Sequence, residues 1–293
     1  LMMSLRDPYV IAMQKAAEPP QGARNDHDIF RGLAARMGFE EEFTGGRDEA
    51  AWLRWLYDKT RQSVRAEGLG LPDWQELQDK GWHRTPPPDP ATVMMQAFRE
   101  DPETHALATP SGKIEVFCKT IDTFGYADCP GHPAWMEPYE WLGKTGKYPL
   151  HLISNQPSKK LHSQLDQGSV SRSGKINGRE PVMMNPEDAA ERGIGDGDLL
   201  RLFNDRGACL GAALVSAQIR RGVVQMSTGS WWDPDDDGMC RHGNPNVLTR
   251  DVGTSSLAQG PTAHSCLIEV ELFTGTAPPV RAFEPPVIRP RKD

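Results

Sequence analysis

The stretch Asn185-Pro-Glu-Asp-Ala-Ala-Glu-Arg-Gly-Ile-Gly-Asp-Gly-Asp198, followed by Leu199-Leu-Arg-Leu-Phe203 and Asn204-Asp-Arg-Gly207, decides how the chain folds. Asn185 can cap a short helix, with Pro186 at its first position. Glu187 and Asp188 oppose the positive end of the helix dipole, and Gly193 suits the C′ stop. Gly195–Asp198 is then a turn, 199–203 a strand, and Asn204–Gly207 a second turn that sends the chain back. One short helix between strands and glycine turns belongs to a mainly β domain.

The same grammar extends both ways. Leu150–Ser154, Cys209–Val215, Val223–Ser227 and Leu267–Phe273 read as further strands. Many short strands with a single helix suggest a closed barrel. Upstream of residue 110 the chain reads as helical and loop-rich. Asn25-Asp26 offers a cap, and Ile29, Phe30, Leu33, Ala34 and Met37 mark one helical face that stops at Gly38. A second helix is expected over 48–66, with Trp52, Trp55 and Leu56 as core. Thr85–Pro90 is a proline connector that cannot be helical, and a short helix should follow it over 91–100. Thr109–Gly112 is a turn, and Lys113–Phe117 alternates like a strand. Cys129–Pro133 and Glu137-Pro138 make an irregular crossing. The fold expected is therefore a mixed α/β N-terminal part over 1–147, a mainly β barrel over 148–276, and an extended proline-rich tail over 277–293, strapped over a partner domain.

Composition narrows the class. The 293 residues carry Lys+Arg 33 against Asp+Glu 40, a net charge of −7, and mean hydropathy is −0.57. No basic stripe marks a nucleic-acid footprint, and no apolar run approaches the ~18 residues of a membrane helix. Cys118, Cys129, Cys209, Cys240 and Cys266 are scattered without CxxC spacing, which fits free thiols. Cys240 and His242 lie close, but the remaining ligands of a zinc site are missing. Asp235-Asp-Asp237 reads as a solvated acidic turn rather than a calcium loop.

Three polar loops stand out: Ser154–Gln164, Gly243–Thr249 and Gly253–His264. Amide side chains both donate and accept, so they can read a purine edge. Hydroxyls and loop N–H groups can hold phosphate oxygens without net positive charge. The competing reading is that these residues cap strand ends as Asx turns. Trp231-Trp232 fits either a substrate funnel or a buried aromatic plug.

At these loops the sequence resembles a known family. Asn185–Asp198 with Asn204–Gly207, Leu161-His-Ser-Gln164, Asn246-Val-Leu-Thr249 and Gly253-Thr-Ser-Ser-Leu-Ala-Gln-Gly260 resemble the C-terminal molybdopterin-dinucleotide-binding domain of the dimethyl sulfoxide reductase family. Asn25–Phe30, Arg47–Leu56 and Thr109–Glu115 resemble the part that precedes it. Gln156 in Ser154-Asn-Gln-Pro157, and Phe203–Leu210, look like the biotin sulfoxide and trimethylamine-N-oxide reductase branch.

The resemblance implies a six-stranded double-psi barrel and a bis(molybdopterin guanine dinucleotide) molybdenum cofactor. Ser154, Asn155, Gln156, His162, Ser163, Gln164, Asn246, Gln259 and Gly260 would contact the cofactor, and Trp231 and Trp232 the substrate funnel. The reaction implied is oxygen-atom transfer from an S-oxide or N-oxide, served by an electron donor. Catalytic and metal-ligating residues are expected in upstream domains, so this segment alone is expected to be inactive. Its compartment, cytoplasm or periplasm, would be set upstream as well. Two rivals stay open: a non-catalytic double-psi binding module, and a formate-dehydrogenase-like member of the same family.

Overall fold

A computed structural model of the protein describes residues 1–4, 7–20, 22–66, 68–87, 93–285 and 287. They form two compact units, Leu1–Ile114 and Glu115–Asp293.

The first unit joins a three-stranded antiparallel sheet, β1 (Met2–Ser4), β2 (Asp7–Ile11) and β3 (Trp82–Arg84), to helices α1 (Asp26–Met37), α2 (Glu40–Thr44), α3 (Glu49–Ala66), α4 (Trp74–Lys80) and α5 (Gln96–Glu100). Asn25 caps α1 by accepting from the His27 N–H, and Gly38 ends it in the left-handed region at φ 83°. The α3 face expected in the core is not the buried one. Tyr57 is buried with Val10, Ala12, Leu71 and Leu77, whereas Trp55 and Leu56 are exposed. The Arg47 guanidinium lies over both Trp52 and Trp55, which lets these rings stay at the surface. Pro88–Pro90 of the proline connector and residues 91–92 of the helix expected after it lie outside the described residues.

The strand expected over Lys113–Phe117 is absent. Leu107 N–H donates to Gly112 O and Thr109 Oγ1 donates to Lys113 O, so the segment curls on itself. Ile114 and Val116 are exposed, and the segment joins no sheet among the described residues. The barrel-bearing unit thus begins at Glu115, ahead of the barrel boundary expected at residue 148. Segment 115–147, with a short helix α6 (Lys119–Asp122) and a single 3-10 turn (Leu142–Lys144), is tied down by Glu140. This carboxylate takes both Arg206 Nη groups at 2.6 and 3.0 Å and the Leu267 N–H at 2.7 Å.

Six strands close the barrel: β4 (Leu150–Ile153), β5 (Pro181–Met184), β6 (Leu199–Asn204), β7 (Gly207–Val215), β8 (Val223–Met226) and β9 (Leu267–Leu272). Their order is β4-β8-β5-β7-β6-β9, closing back on β4. Two pairs are parallel, β4 with β8 and β5 with β7; the others are antiparallel. β5 was not legible as a strand, because it opens on a proline and is only four residues long. Alternate residues point inward: Leu150, Leu152, Val182, Met184, Leu200, Leu202, Val224, Met226, Ile268 and Val270 are essentially buried. Helix α7 (Ser169–Arg172) lies between β4 and β5. Helix α8 (Pro186–Ala190) has the expected Asn185 cap but ends a turn early, and Gly193 closes the following turn at φ 64°.

Asn204 ends β6 with its side chain buried. Its Nδ2 donates to Leu248 O at 2.8 Å and Leu267 O at 3.1 Å, and its Oδ1 accepts from Arg206 N–H. Asn204→Ala removes the donor to Leu267 O, while Leu248 O keeps Arg206 Nε and Cys266 Sγ; it is expected to cost about 1–2 kcal/mol, read as a lower urea midpoint at unchanged m-value.

Part of the tail lies on the barrel unit. Arg179 Nη2 donates to Pro278 O, the Arg281 N–H donates to Asp233 Oδ2 at 2.7 Å, and the chain turns at Arg281–Glu284. Residues 286 and 288–293 of the tail lie outside the described residues.

Candidate cofactor cleft

β4 and β8 are parallel neighbours, so the loops that follow them leave the same end of the barrel side by side. Thr228 N–H donates to Asn155 O, and Asn155 Oδ1 accepts from Gln225 Nε2 at 2.8 Å and from Ser227 Oγ at 3.3 Å. Between the loops lies a cleft of about 450 Å³, lined by His162, Ser163, Thr228–Trp232, Asn244 and Asn246. None of these side chains is acidic. The lining offers hydroxyls, amides, an imidazole and two indoles.

The close approach of the two loops depends on Gly229. Its φ is +93°, and a Cβ there would fall 1.9 Å from His162 O. His162 and Leu165 themselves take left-handed backbone at φ 49° and 58°, which is costly for residues with a Cβ.

Beneath the cleft is a buried cluster of charge. Lys160 reaches Asp166 at 2.6 Å and Glu180 at 2.5 Å; Lys175 reaches the same two carboxylates at 3.0 and 2.5 Å. All four side chains are no more than 7% exposed. Two cations balance two anions, so the cluster does not repel an anion above it. Burial alone would push both carboxyls up, but the ammonium groups override it and hold Asp166 and Glu180 below the usual range. Burial, with Lys175 nearby, holds His242 neutral by pushing its imidazole down.

Stability should therefore fall on acidification in two windows. Below about 6.5 the unfolded chain gains a His242 proton that the folded state disfavours. Below about 4.5 it begins to gain the Asp166 and Glu180 protons. Urea midpoints at a series of pH values are expected to show both, with His242→Gln shrinking the upper one, to which half-buried His151 also contributes.

The sequence-predicted residues do not all converge. His162, Ser163, Asn246, Trp231 and Trp232 line this cleft. Asn155 and Gln156 lie behind it; Gln156 Nε2 contacts His162 Nδ1 at 3.1 Å. Ser154 is buried at the end of β4, and Gln164 is exposed on the loop. Gln259 and Gly260 sit in a separate loop closed by the Gly253–Pro261 bridge and by Thr254 N–H to Gly260 O. Gln259 donates to Ser255 O inside that loop. Thr254 and Pro261 border a second cavity of about 550 Å³ with His151, His264 and Tyr139. Trp231 and Trp232 are 36% and 62% exposed, so neither is a buried plug. Asp235 Oδ1 accepts from Asp237 and Met239 N–H, an ordinary Asx turn. Thr228, Gly229 and Ser230 were missed, although a small polar triplet directly after an apolar strand was a usable signal.

Among the described residues no helix is long and apolar enough to cross a membrane.

A closed six-stranded barrel with two parallel pairs, carrying polar loops from one end, is a double-psi barrel. Residues 150–267 match the molydopterin dinucleotide binding domain, and the barrel belongs to that family. The chain is 44% identical over 274 residues to biotin sulfoxide reductase of Cereibacter sphaeroides, covering 93% of this chain and 37% of that protein. It is 43% identical to the dimethyl sulfoxide/trimethylamine N-oxide reductase of Rhodobacter capsulatus, covering 94% of this chain and 34% of that one. It thus spans about a third of the length of the curated relatives it matches. Acetylene hydratase from Pelobacter acetylenicus shares the fold at 19% identity, with a TM-score of 0.65 over 91% of this chain and 35% of that one.

Proposed function

We propose that this chain holds the dinucleotide part of a bis(molybdopterin guanine dinucleotide) molybdenum cofactor, in an enzyme that reduces an S-oxide or N-oxide. The observation that carries the reading is the cleft between the β4 and β8 loops. Its donor set is neutral, its floor is charge-balanced, and at Gly229 no side chain fills it. That chemistry suits an anionic pyrophosphate beside a purine. The cofactor, when bound, supplies two-electron oxygen-atom transfer from biotin sulfoxide, methionine sulfoxide, trimethylamine N-oxide or dimethyl sulfoxide.

The chain's own residues bind, orient and exclude water. Ser163, Thr228 and the Gly229 N–H would hold phosphate oxygens, while Asn246 and Asn244 would read the base edge. Ser154, Asn155 and Gln156 would support that wall, with His162 positioned by Gln156. Trp231 and Trp232 would keep water from the mouth and border the substrate funnel. Gln259 and Gly260, at the second cavity, would serve the second dinucleotide; Gln164 would meet the cofactor from the exposed side of its loop. The metal ligand and the remaining enclosure would come from other domains of the enzyme, and the electrons from a separate donor.

Calorimetric titration of the 293-residue chain should show GDP binding in preference to ADP and CDP, weakened about tenfold by Asn246→Ala, equivalent to ~1.4 kcal/mol. Equal affinity for the three nucleotides, or none, would sink the guanine assignment. The whole enzyme carrying this segment should oxidise reduced viologen with at least one of the four oxides, and failure with all of them would sink the substrate class.

A further inference from the structure

Trp231 is held at three points. Its backbone N–H donates to Asp166 Oδ2 at 3.0 Å, its indole Nε1 donates to Ser163 O at 2.9 Å, and its carbonyl lies 3.2 Å from His242 Nδ1. A carbonyl only accepts, so that contact fixes the Nδ1–H tautomer of His242. His242 and Asp166 are both fully buried, with Nδ1 3.8 Å from Asp166 Oδ2. Asp166 is anchored in turn by Lys160 and Lys175. From outside, the ring of Phe283 in the C-terminal segment meets His242 edge-on at 4.9 Å between centroids and Trp231 at 6.0 Å. Arg172 and Lys175 reach the same ring at 5.5 and 5.8 Å.

Three segments, Ser163–Asp166, His242 and Phe283, therefore meet on one residue, Trp231, at the wall of the cleft. Nothing in fold maintenance requires a solvent-facing tryptophan to be gripped by two fully buried polar groups. We propose that Asp166 and His242 are positioning residues that clamp the Trp231 peptide and so set the wall of the cleft, and that Phe283 of the C-terminal segment seals this clamp. The clamp itself stands on geometry; only the identity of what fills the cleft rests on the cofactor reading above.

The test uses the full 293-residue chain labelled with 5-fluorotryptophan, with Trp231→Phe assigning the Trp231 fluorine resonance among the 8 tryptophans. His242→Ala and Phe283→Ala should each shift and broaden that resonance and weaken GDP binding about tenfold, a loss of ~1.4 kcal/mol. His242→Gln, which keeps an N–H donor, should recover both to within about twofold of wild type. Trp82, in the other unit, should not move in any variant. An unmoved Trp231 resonance in His242→Ala and Phe283→Ala overturns the clamp. So does a His242→Gln protein no better than His242→Ala, since that makes His242 a packing residue only. If His242→Ala does not fold, Phe283→Ala and Asp166→Asn decide by the same criterion. If the wild-type chain binds no GDP, the cofactor reading fails while the fluorine measurement still decides the clamp.

Discussion

Replacing Lys175 with methionine is expected to lower the unfolding free energy by about 3–5 kcal/mol. The reason is imbalance rather than a lost contact. Lys175 is 2% exposed and bonds two carboxylates that are themselves buried. Without it, Lys160 alone must neutralise Asp166 and Glu180, and one negative charge stays desolvated. The double variant Lys175→Met/Glu180→Gln removes one charge of each sign and leaves Lys160 paired with Asp166. It should recover more than half of the loss, because balanced removal of buried charge is often nearly neutral. Chemical denaturation of the two variants checks this. A double variant as unstable as the single one would mean that shape, not charge balance, sets the energy of the cluster.

Gly229→Ala carries the second large effect. The new methyl would meet His162 O at 1.9 Å, against backbone rather than a movable side chain, at a φ of +93°. Strain and overlap together should cost about 3 kcal/mol and abolish GDP binding at the cleft. The thermal midpoint and a titration measure the two consequences separately. Wild-type stability in this variant would show that the His162 loop yields, and the narrow cleft would then not be a fixed feature.

Much of the barrel was legible because its determinants are local. Five of the six strands follow from apolar alternation between glycine turns, and the Asn185 cap and the Asn204–Gly207 turn fall where their residue types require. What failed depended on partners. Lys113–Phe117 has the right pattern but lies in no sheet, and Pro181–Met184 has a weak pattern but lies between two strands. On α3, Trp55 and Leu56 look like core, but the packing surface is the face of Tyr57. The cleft was half legible. Amides and hydroxyls in loops could be listed, but which of them share one wall follows from the parallel β4–β8 pair, and Gln259 ended elsewhere. The charge cluster was invisible, since lysines and acids read as surface residues until the fold brings Lys160, Asp166, Lys175 and Glu180 together.

The closing seam of the barrel bears on when the molecule becomes whole. β9 pairs with both β4 and β6, and it is the last strand among the described residues. During synthesis β4 emerges first and must wait, one edge bare, until Leu267–Leu272 has left the ribosome. Pairings of such sequence separation are slow to form and leave strand edges open meanwhile. The cleft loops are thus complete in sequence before the barrel can shut, and the order of translation alone sets a late moment for the nascent chain to become a competent receptor.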